Sequence, residues 1–423
     1  MKAVTVVVPG SLNLRTGGSI YDRRIVQSLT ARGWRVTVVE LEPVLHPLAP
    51  PLDTAARHFA EIPDDSLVLI DGLVFGTMPE LVERESWRLR FVPIVHMPLA
   101  STPGLTRGEA GWLSSLERRA LTHARHVVIT GHRVRTQVQA LTGLNPDGIT
   151  RIPPGTDRVS RQENATAGGT AVRLLCVANL TPAKGHDILL RSLAGLSNSD
   201  WMLMCAGNET RDPDTAARLR MLAAELGIAA QVSWRGESDE SSLDAQYAAA
   251  DLFVLPTRAE TYGMAVAEAI AHGVPVVSTR TGEIPSIVGQ GGLLVDPGDE
   301  AGFAAALGRV VSDTALRYTL RQRAREDPLA FETGPAVAPA RICRDRVAVR
   351  SQPAPGPAGG LASRGTFREC RGFPIRLGPG AAAPGGWAWH SRSCSPSWPA
   401  PSPAPRSRCA RSERRRATSR SAR

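Results

Sequence analysis

Two doubly wound α/β units, each a parallel sheet covered by helices on both faces, are predicted for this chain of 423 residues. Three observations carry that expectation. Short β-branched runs alternate with longer helical patterns from the start to about Asp327, and the strand candidates fall into two sets of six. Between the sets lies Ser160 to Thr170, a stretch of small polar residues with no periodicity, which reads as a linker. A chain of this length has room for two domains that each bury a core.

In the first half the strand candidates are Ala3 to Val8, Trp34 to Val39, Leu67 to Ile70, Phe91 to Val95, His126 to Ile129 and Gly148 to Ile152. In the second they are Arg173 to Ala178, Trp201 to Ala206, Gln231 to Trp234, Leu252 to Leu255, Pro275 to Thr279 and Leu293 to Val295. The expected divisions are residues 1–160, 170–327 and a tail, 328–423. Ligands of such sheets bind outside the carboxyl ends of the strands, so two sets of strand ends facing one cleft would build a shared site.

The tail has a different composition. Its 96 residues hold 14 prolines, and 17 arginines against four acidic residues leave a net charge of +13 there. The whole chain carries +10, so residues 1–327 are mildly acidic at about −3. A segment so poor in apolar residues cannot offset about 1 to 2 kcal/mol of backbone entropy per residue, and disorder is expected from Pro328 onward. Its Arg/Pro/Gly/Ala/Ser bias is what a GC-rich gene gives in a shifted reading frame. The other reading of so basic a tail is attachment to nucleic acid, but with the charge confined there, no nucleic-acid partner is expected for the rest. Peripheral membrane contact stays open.

No stretch reaches the roughly 18 apolar residues needed to cross a bilayer, and the start runs directly into a strand, so a cytoplasmic protein is the expectation. Cys176 and Cys205 lie in apolar runs and read as buried small hydrophobes, while Cys343, Cys370, Cys394 and Cys409 fall in the tail without metal-ligand spacing.

Chemistry concentrates in a few places. Lys2 and Lys184 are the chain's two lysines, although Lys plus Arg total 50. Lys184 stands in ANLTPAKGHD, followed by Gly185 and a helical run whose free N–H groups suit an anion. Glu260 and Glu268 enclose seven residues in AETYGMAVAEAIAHGVPVV, at a loop-to-helix junction. Gly17 and Gly18 follow the first strand and open the first long helix, without the G-x-G-x-x-G dinucleotide pattern or the G-x4-G-K-[ST] phosphate loop. His96 ends the strand FVPIVHMPL.

These elements together resemble the retaining glycosyltransferases of family 4, the glycosyl transferases group 1, which adopt the GT-B fold of two Rossmann-like domains facing a cleft. The likeness covers roughly residues 1–327, and DLFVLPTRAETYGMAVAEAIAHGVPVVSTRTGEIPSIV matches the family over some forty residues. It implies an acceptor-side domain at 1–160, a nucleotide-sugar domain at 170–327 and transfer of a sugar from a nucleotide-diphosphate donor, UDP- or GDP-linked, to a hydroxyl on a glycan, lipid or small molecule. Neither a metal nor any cofactor is implied. Lys184, Glu260 and His96 would be the catalytic groups. Gly17, Gly18, Asn179, Lys184, Gly185, Glu260, Thr261, Tyr262, Gly263, Met264 and Glu268 would bind the donor, Glu260 holding the sugar and Glu268 the ribose diol. Asp71 and Gly72 are weaker candidates for acceptor contact, and Arg151 to Asp157 reads as a linker-shaping turn. The chain departs from the commoner family pattern at Asn179, where an arginine stands five positions before the lysine. Other readings are a nucleotide-sugar-binding protein without turnover, because the tail replaces the family's terminal helix, and an epimerase of the same fold.

Overall fold

The computed structural model describes residues 2–14, 16–42, 52–156, 171–196 and 200–326. The expected linker, Asp157 and the whole tail with its four cysteines lie outside the described residues.

Twelve parallel strands form two six-stranded sheets. The first contains β1 (Ala3–Pro9), β2 (Arg35–Leu41), β3 (Leu67–Asp71), β4 (Arg90–Val95), β5 (Val127–Ile129) and β6 (Ile149–Arg151), in the order β2-β1-β3-β4-β5-β6. The second contains β7 (Val172–Val177), β8 (Trp201–Ala206), β9 (Val232–Trp234), β10 (Leu252–Leu255), β11 (Val276–Thr279) and β12 (Gly292–Val295), in the order β12-β11-β10-β7-β8-β9. Every strand candidate is a strand, with ends displaced by a residue or two: His126 and Gly148 precede their strands, and Trp34 precedes β2.

Continuous apolar runs give these strands because both sheet faces are covered. In β1, Val4, Val6 and Val8 pack with Tyr21, Ile25 and Leu29 of the helix Gly17–Ala31. Val7, pointing the other way, joins Val68, Ile70 and Phe91 beneath Phe59 and Phe75. Complete burial of such a side chain contributes about 1.5 to 3 kcal/mol. The second sheet shares one core that takes in Trp201, Phe253, Phe303 and the paired strand residues Cys176 and Cys205. Both thiols are free and buried, as read from the sequence.

Strand order decides where a site can form. In the first sheet the chain leaves β1 on one side to make β2 and returns on the other to make β3. In the second it builds β8 and β9 beside β7, then returns to place β10 on β7's other edge. Loops leaving the carboxyl ends of β7 and β10 must diverge, and the crevice between them is open to a ligand. Lys184 follows β7, and Glu260 follows β10. The final described helix, Thr314–Glu326, seals the second core through Leu320 and Ala324.

Candidate functional site

The loops after β7 and β10 are knitted together. Arg258 donates its backbone N–H to the Ala183 carbonyl at 2.7 Å, and its guanidinium reaches the Pro182 carbonyl at 2.7 Å and both oxygens of Asp187 at 2.9 and 2.8 Å. That guanidinium holds the Asp187 carboxyl below its ordinary range. Gly185 takes φ +72°, and a Cβ there would stand 2.1 Å from the Pro256 carbonyl oxygen, so the approach of the two loops admits glycine alone. The neighbouring loop therefore requires that glycine.

Within this frame Lys184 Nζ donates to Glu260 Oε2 at 2.6 Å, with side-chain exposures of 26% and 17%. The other Glu260 oxygen accepts the Thr261 N–H at 3.2 Å. The ammonium and carboxylate therefore fix one another at the mouth of the β7–β10 crevice. Lysine has two further protons to offer a ligand.

Gly263, at φ +97°, starts the helix Met264–Ala271, and Glu268 lies one turn into it. Glu268 Oε2 accepts from the Tyr247 hydroxyl at 2.9 Å. Tyr247 is buried and stacked on His272 with ring centroids 5.0 Å apart; burial, with the nearby Glu268 charge, raises its pKa well above the ordinary value, so it stays a neutral donor. Asn179 Oδ1 accepts the Asn208 N–H at 3.1 Å and joins the loops after β7 and β8.

A cavity of about 600 Å³, within the usual size of small-molecule sites, opens between these loops and the first helix. Asn179, Lys184, Glu260, Gly263, Met264 and Glu268 line it from the second sheet. Gly17 lines it from the first, where a Cβ would touch Met264 Cγ at 3.6 Å. The structure thus brings seven of the sequence-predicted residues around one volume. Gly18, His96, Gly185, Thr261 and Tyr262 do not line it: Gly185 is enclosed between the loops, and Tyr262 is half-buried against the second core.

His96 sits behind Gly18, whose Cβ position is 3.6 Å from His96 Cδ2. Its Nε2 lies 3.3 Å from Asp22 Oδ1 and 3.4 Å from Asp71 Oδ2, and its ring meets Tyr21 edge-on at 5.1 Å. Burial alone would discharge the imidazole, but Asp22 and Asp71 outweigh it and raise its pKa to about 10. Burial lifts Asp22 to about 6 against the pull of His96. At neutral pH His96 is an imidazolium, able to donate a hydrogen bond but not to accept a proton. Asp71, 6% exposed, also caps the helix Gly72–Thr77 by accepting the Leu73 N–H at 2.6 Å; it is a structural residue here rather than an open acceptor contact. Asp22, Asp71 and His96 are also the group among the described residues whose donor atoms converge closely enough for a metal, within 4.8 Å of one another. The imidazolium already offsets one of those two carboxylate charges.

Asp22 and Tyr247 escape a reading of the sequence. Neither belongs to a recurrent pattern, and each acquires its role from a partner far along the chain. For Asp22 a weak signal exists: it lies one helical turn beyond Gly18, on the same helix face.

Comparison with known proteins fits this architecture. Residues 171–313 match the family model of the glycosyl transferases group 1. A D-inositol 3-phosphate glycosyltransferase of Corynebacterium jeikeium strain K411 is 36% identical over 193 residues, 43% of this chain and 46% of that protein. Its counterpart in Acidothermus cellulolyticus is 31% identical over 268 residues, 57% of this chain and 59% of that protein. The chain thus spans about half the length of these relatives. Among solved structures, sucrose-phosphate synthase from Thermosynechococcus elongatus superposes with TM-score 0.68 at 21% identity, over 82% of this chain and 100% of that one. Anabaena Alr3699/HepE, solved in complex with UDP and glucose, gives 0.61 at 18% identity, over 79% and 96%. At such identities the structures speak for the fold, which is GT-B. With residues 171–313 carrying the match, that part of the chain is similar to the glycosyl transferases group 1.

Proposed function

We propose that this chain is a retaining glycosyltransferase, moving a sugar from a nucleoside-diphosphate donor to a hydroxyl acceptor without a metal ion. The observation that carries the reading is the Lys184–Glu260 pair at the β7–β10 crevice, inside a cavity that also takes in Glu268 and the glycine-started helix at Met264. A diphosphate leaving group gains negative charge as the sugar departs, and an ammonium beside a helix N-terminus is suited to receive it. Glu268, held by the Tyr247 hydroxyl, keeps acceptor capacity for a ribose diol. Glu260, bonded to Lys184 at 2.6 Å, suits the hydroxyls of the transferred sugar.

On this reading residues 170–327 hold the donor and residues 1–160 face the acceptor. The acceptor hydroxyl enters on the face from which the diphosphate departs, and the departing phosphate takes its proton. No side-chain nucleophile takes part. His96, an imidazolium held by Asp22 and Asp71 behind Gly18, does not act as base. UDP-sugars are the first donors to try, because the HepE neighbour was solved with UDP, with UDP and glucose, and with UDP-glucose. The relatives' names place a phosphorylated inositol among acceptors worth testing. No described helix is long and apolar enough to cross a membrane.

Incubation of the full chain with UDP-glucose and GDP-mannose, with and without EDTA, tests the proposal through release of the nucleoside diphosphate. Release that survives EDTA and yields a product of unchanged anomeric configuration by NMR supports it. No release from a panel of donors, or an inverted product, overturns it.

A further inference from the structure

Lys184 is already matched by Glu260 at 2.6 Å, and Asn179 brings no charge where the commoner family pattern places an arginine. The second-sheet wall of the cavity therefore offers a diphosphate little uncompensated positive charge. It also contributes Glu237, Glu240 and Glu268 to the lining. A doubly charged ligand entering such a wall meets an unfavourable field unless a cation faces it from the other side.

The opposite wall supplies two arginines, of which Arg24 is turned to the Gly155 carbonyl at 2.9 Å. Arg23 lies on the helix Gly17–Ala31, beyond the Gly17 turn, and lines the same cavity. Its guanidinium is half-buried and donates from Nη1 to the Leu12 carbonyl at 3.1 Å. Among the described residues no carboxylate lies within ion-pair distance of it. That carbonyl bond fixes one edge of the planar guanidinium and leaves its remaining N–H groups for a ligand. A partly desolvated arginine held in a cleft without a counter-ion is a site for an anion, and a fork of N–H groups fits phosphoryl oxygens.

We propose that Arg23 is a phosphoryl-binding residue of the cleft, placed to grip the diphosphate of the donor from the first-sheet side and to supply the charge that Asn179 lacks. The inference rests on the nucleoside-diphosphate reading above. Arg23 is then a binding residue present only when the two sheets face the ligand together, so the diphosphate bridges the halves of the molecule. A phosphoryl group on the acceptor would use the same chemistry, and the test separates the two sources.

Titration calorimetry of the full chain with UDP, GDP, uridine, guanosine and D-inositol 3-phosphate provides that test, comparing the wild type with Arg23→Gln and Arg23→Lys. Glutamine can keep the bond to Leu12 without the charge, and thermal melting checks that the fold is intact. The expected result is a 10- to 100-fold loss of nucleoside diphosphate affinity in Arg23→Gln, the size of a charge-assisted hydrogen bond. Arg23→Lys should recover part of it, and nucleoside binding should not change. A loss confined to D-inositol 3-phosphate supports the phosphoryl site but assigns it to the acceptor. Unchanged affinity for every phosphorylated ligand in Arg23→Gln overturns the proposal alone. If the wild type binds neither UDP nor GDP, the donor reading and the proposal fall together.

Discussion

Lys184 and Glu260 act on one another before any ligand arrives, so their effects should not add. Lys184→Ala removes a donor aimed at developing charge, and its expected cost is about 10²- to 10³-fold in turnover. Glu260→Gln frees the ammonium and disturbs the sugar side, so a fall in the catalytic rate is expected, larger than that of Glu268→Gln, which should act mainly on the donor KM. The double variant Lys184→Ala/Glu260→Gln should be less impaired than the product of the single effects, because the second change removes a partner already lost. Strict multiplicativity in steady-state kinetics would show that the pair is incidental. These residues were legible in the sequence because they lie in a recurrent pattern with fixed spacing. Asp22 and Tyr247 were not, since each is defined by contacts with residues that the chain brings back from elsewhere: Asp22 with His96, Tyr247 with Glu268. The same holds for Glu117, on the helix Arg107–Leu121, which is 1% exposed and accepts the Leu99 N–H at 3.0 Å while its Oε1 has no partner. Burial raises its pKa from 4.5 to about 7. A raised carboxyl pKa means that the folded state binds the proton more tightly than the unfolded chain, so the contribution of Glu117 to stability is greatest below pH 4.5 and is lost as pH rises toward 7, by about 3 kcal/mol in all. Thermal melts of Glu117→Gln should therefore show a smaller loss of Tm between pH 5 and pH 8 than the wild type. An equal loss in both would remove Glu117 as the source.

The elements show what period and composition can and cannot reveal. Strands such as β1 and β3 were legible because apolar runs buried on both faces leave a signal that survives without knowledge of neighbours. Their ends were less legible, since a strand stops where hydrogen bonding to its neighbour stops. β5 and β6 each keep three residues, and His126 instead turns its Nε2 to the Thr150 hydroxyl at 2.8 Å. Glycines between elements carry the geometry of the site. At Gly185 the backbone is left-handed and the Pro256 oxygen fills the place of a side chain. Left-handed backbone costs an L-residue about 1 to 2 kcal/mol, and the collision adds to that. Gly185→Ala should thus lower Tm by at least several degrees and weaken donor binding, by forcing apart the loops that hold Lys184 beside Glu260. A melt within a degree of the wild type would mean that the loops separate freely.

At the scale of the whole molecule, two contacts between the halves among the described residues have different consequences. At the cleft, Gly17 faces Met264. Away from it, Glu283, in the loop after β11 and 5% exposed, extends its carboxylate into the first half, where Oε1 accepts the Arg133 backbone N–H at 3.0 Å. Arg133 lies in the first turn of the helix His132–Thr142, whose N-cap is Gly131 and has no side chain to offer. The carboxylate thus caps a helix of the other unit and sits against its positive end, a contact of about 0.5 to 2 kcal/mol. Gly131 makes room for it, since a Cβ there would stand 2.7 Å from Glu283 Cγ. Neither sheet's core depends on this contact, so its loss should loosen the halves without unfolding them. Glu283→Ala is expected to melt within a few degrees of the wild type yet show a larger radius of gyration in solution scattering, with donor KM and turnover changing together as they do at hinges. Gly131→Ala, which intrudes on the same seam from the other side, should move both readouts in the same direction. If Glu283→Ala scatters and turns over like the wild type while Gly131→Ala does not, the seam is held by packing around Gly131 and the carboxylate is a passenger. If both variants are indistinguishable from the wild type, the relation of the two halves is fixed at the cleft itself, by the ligand and the residues that grip it.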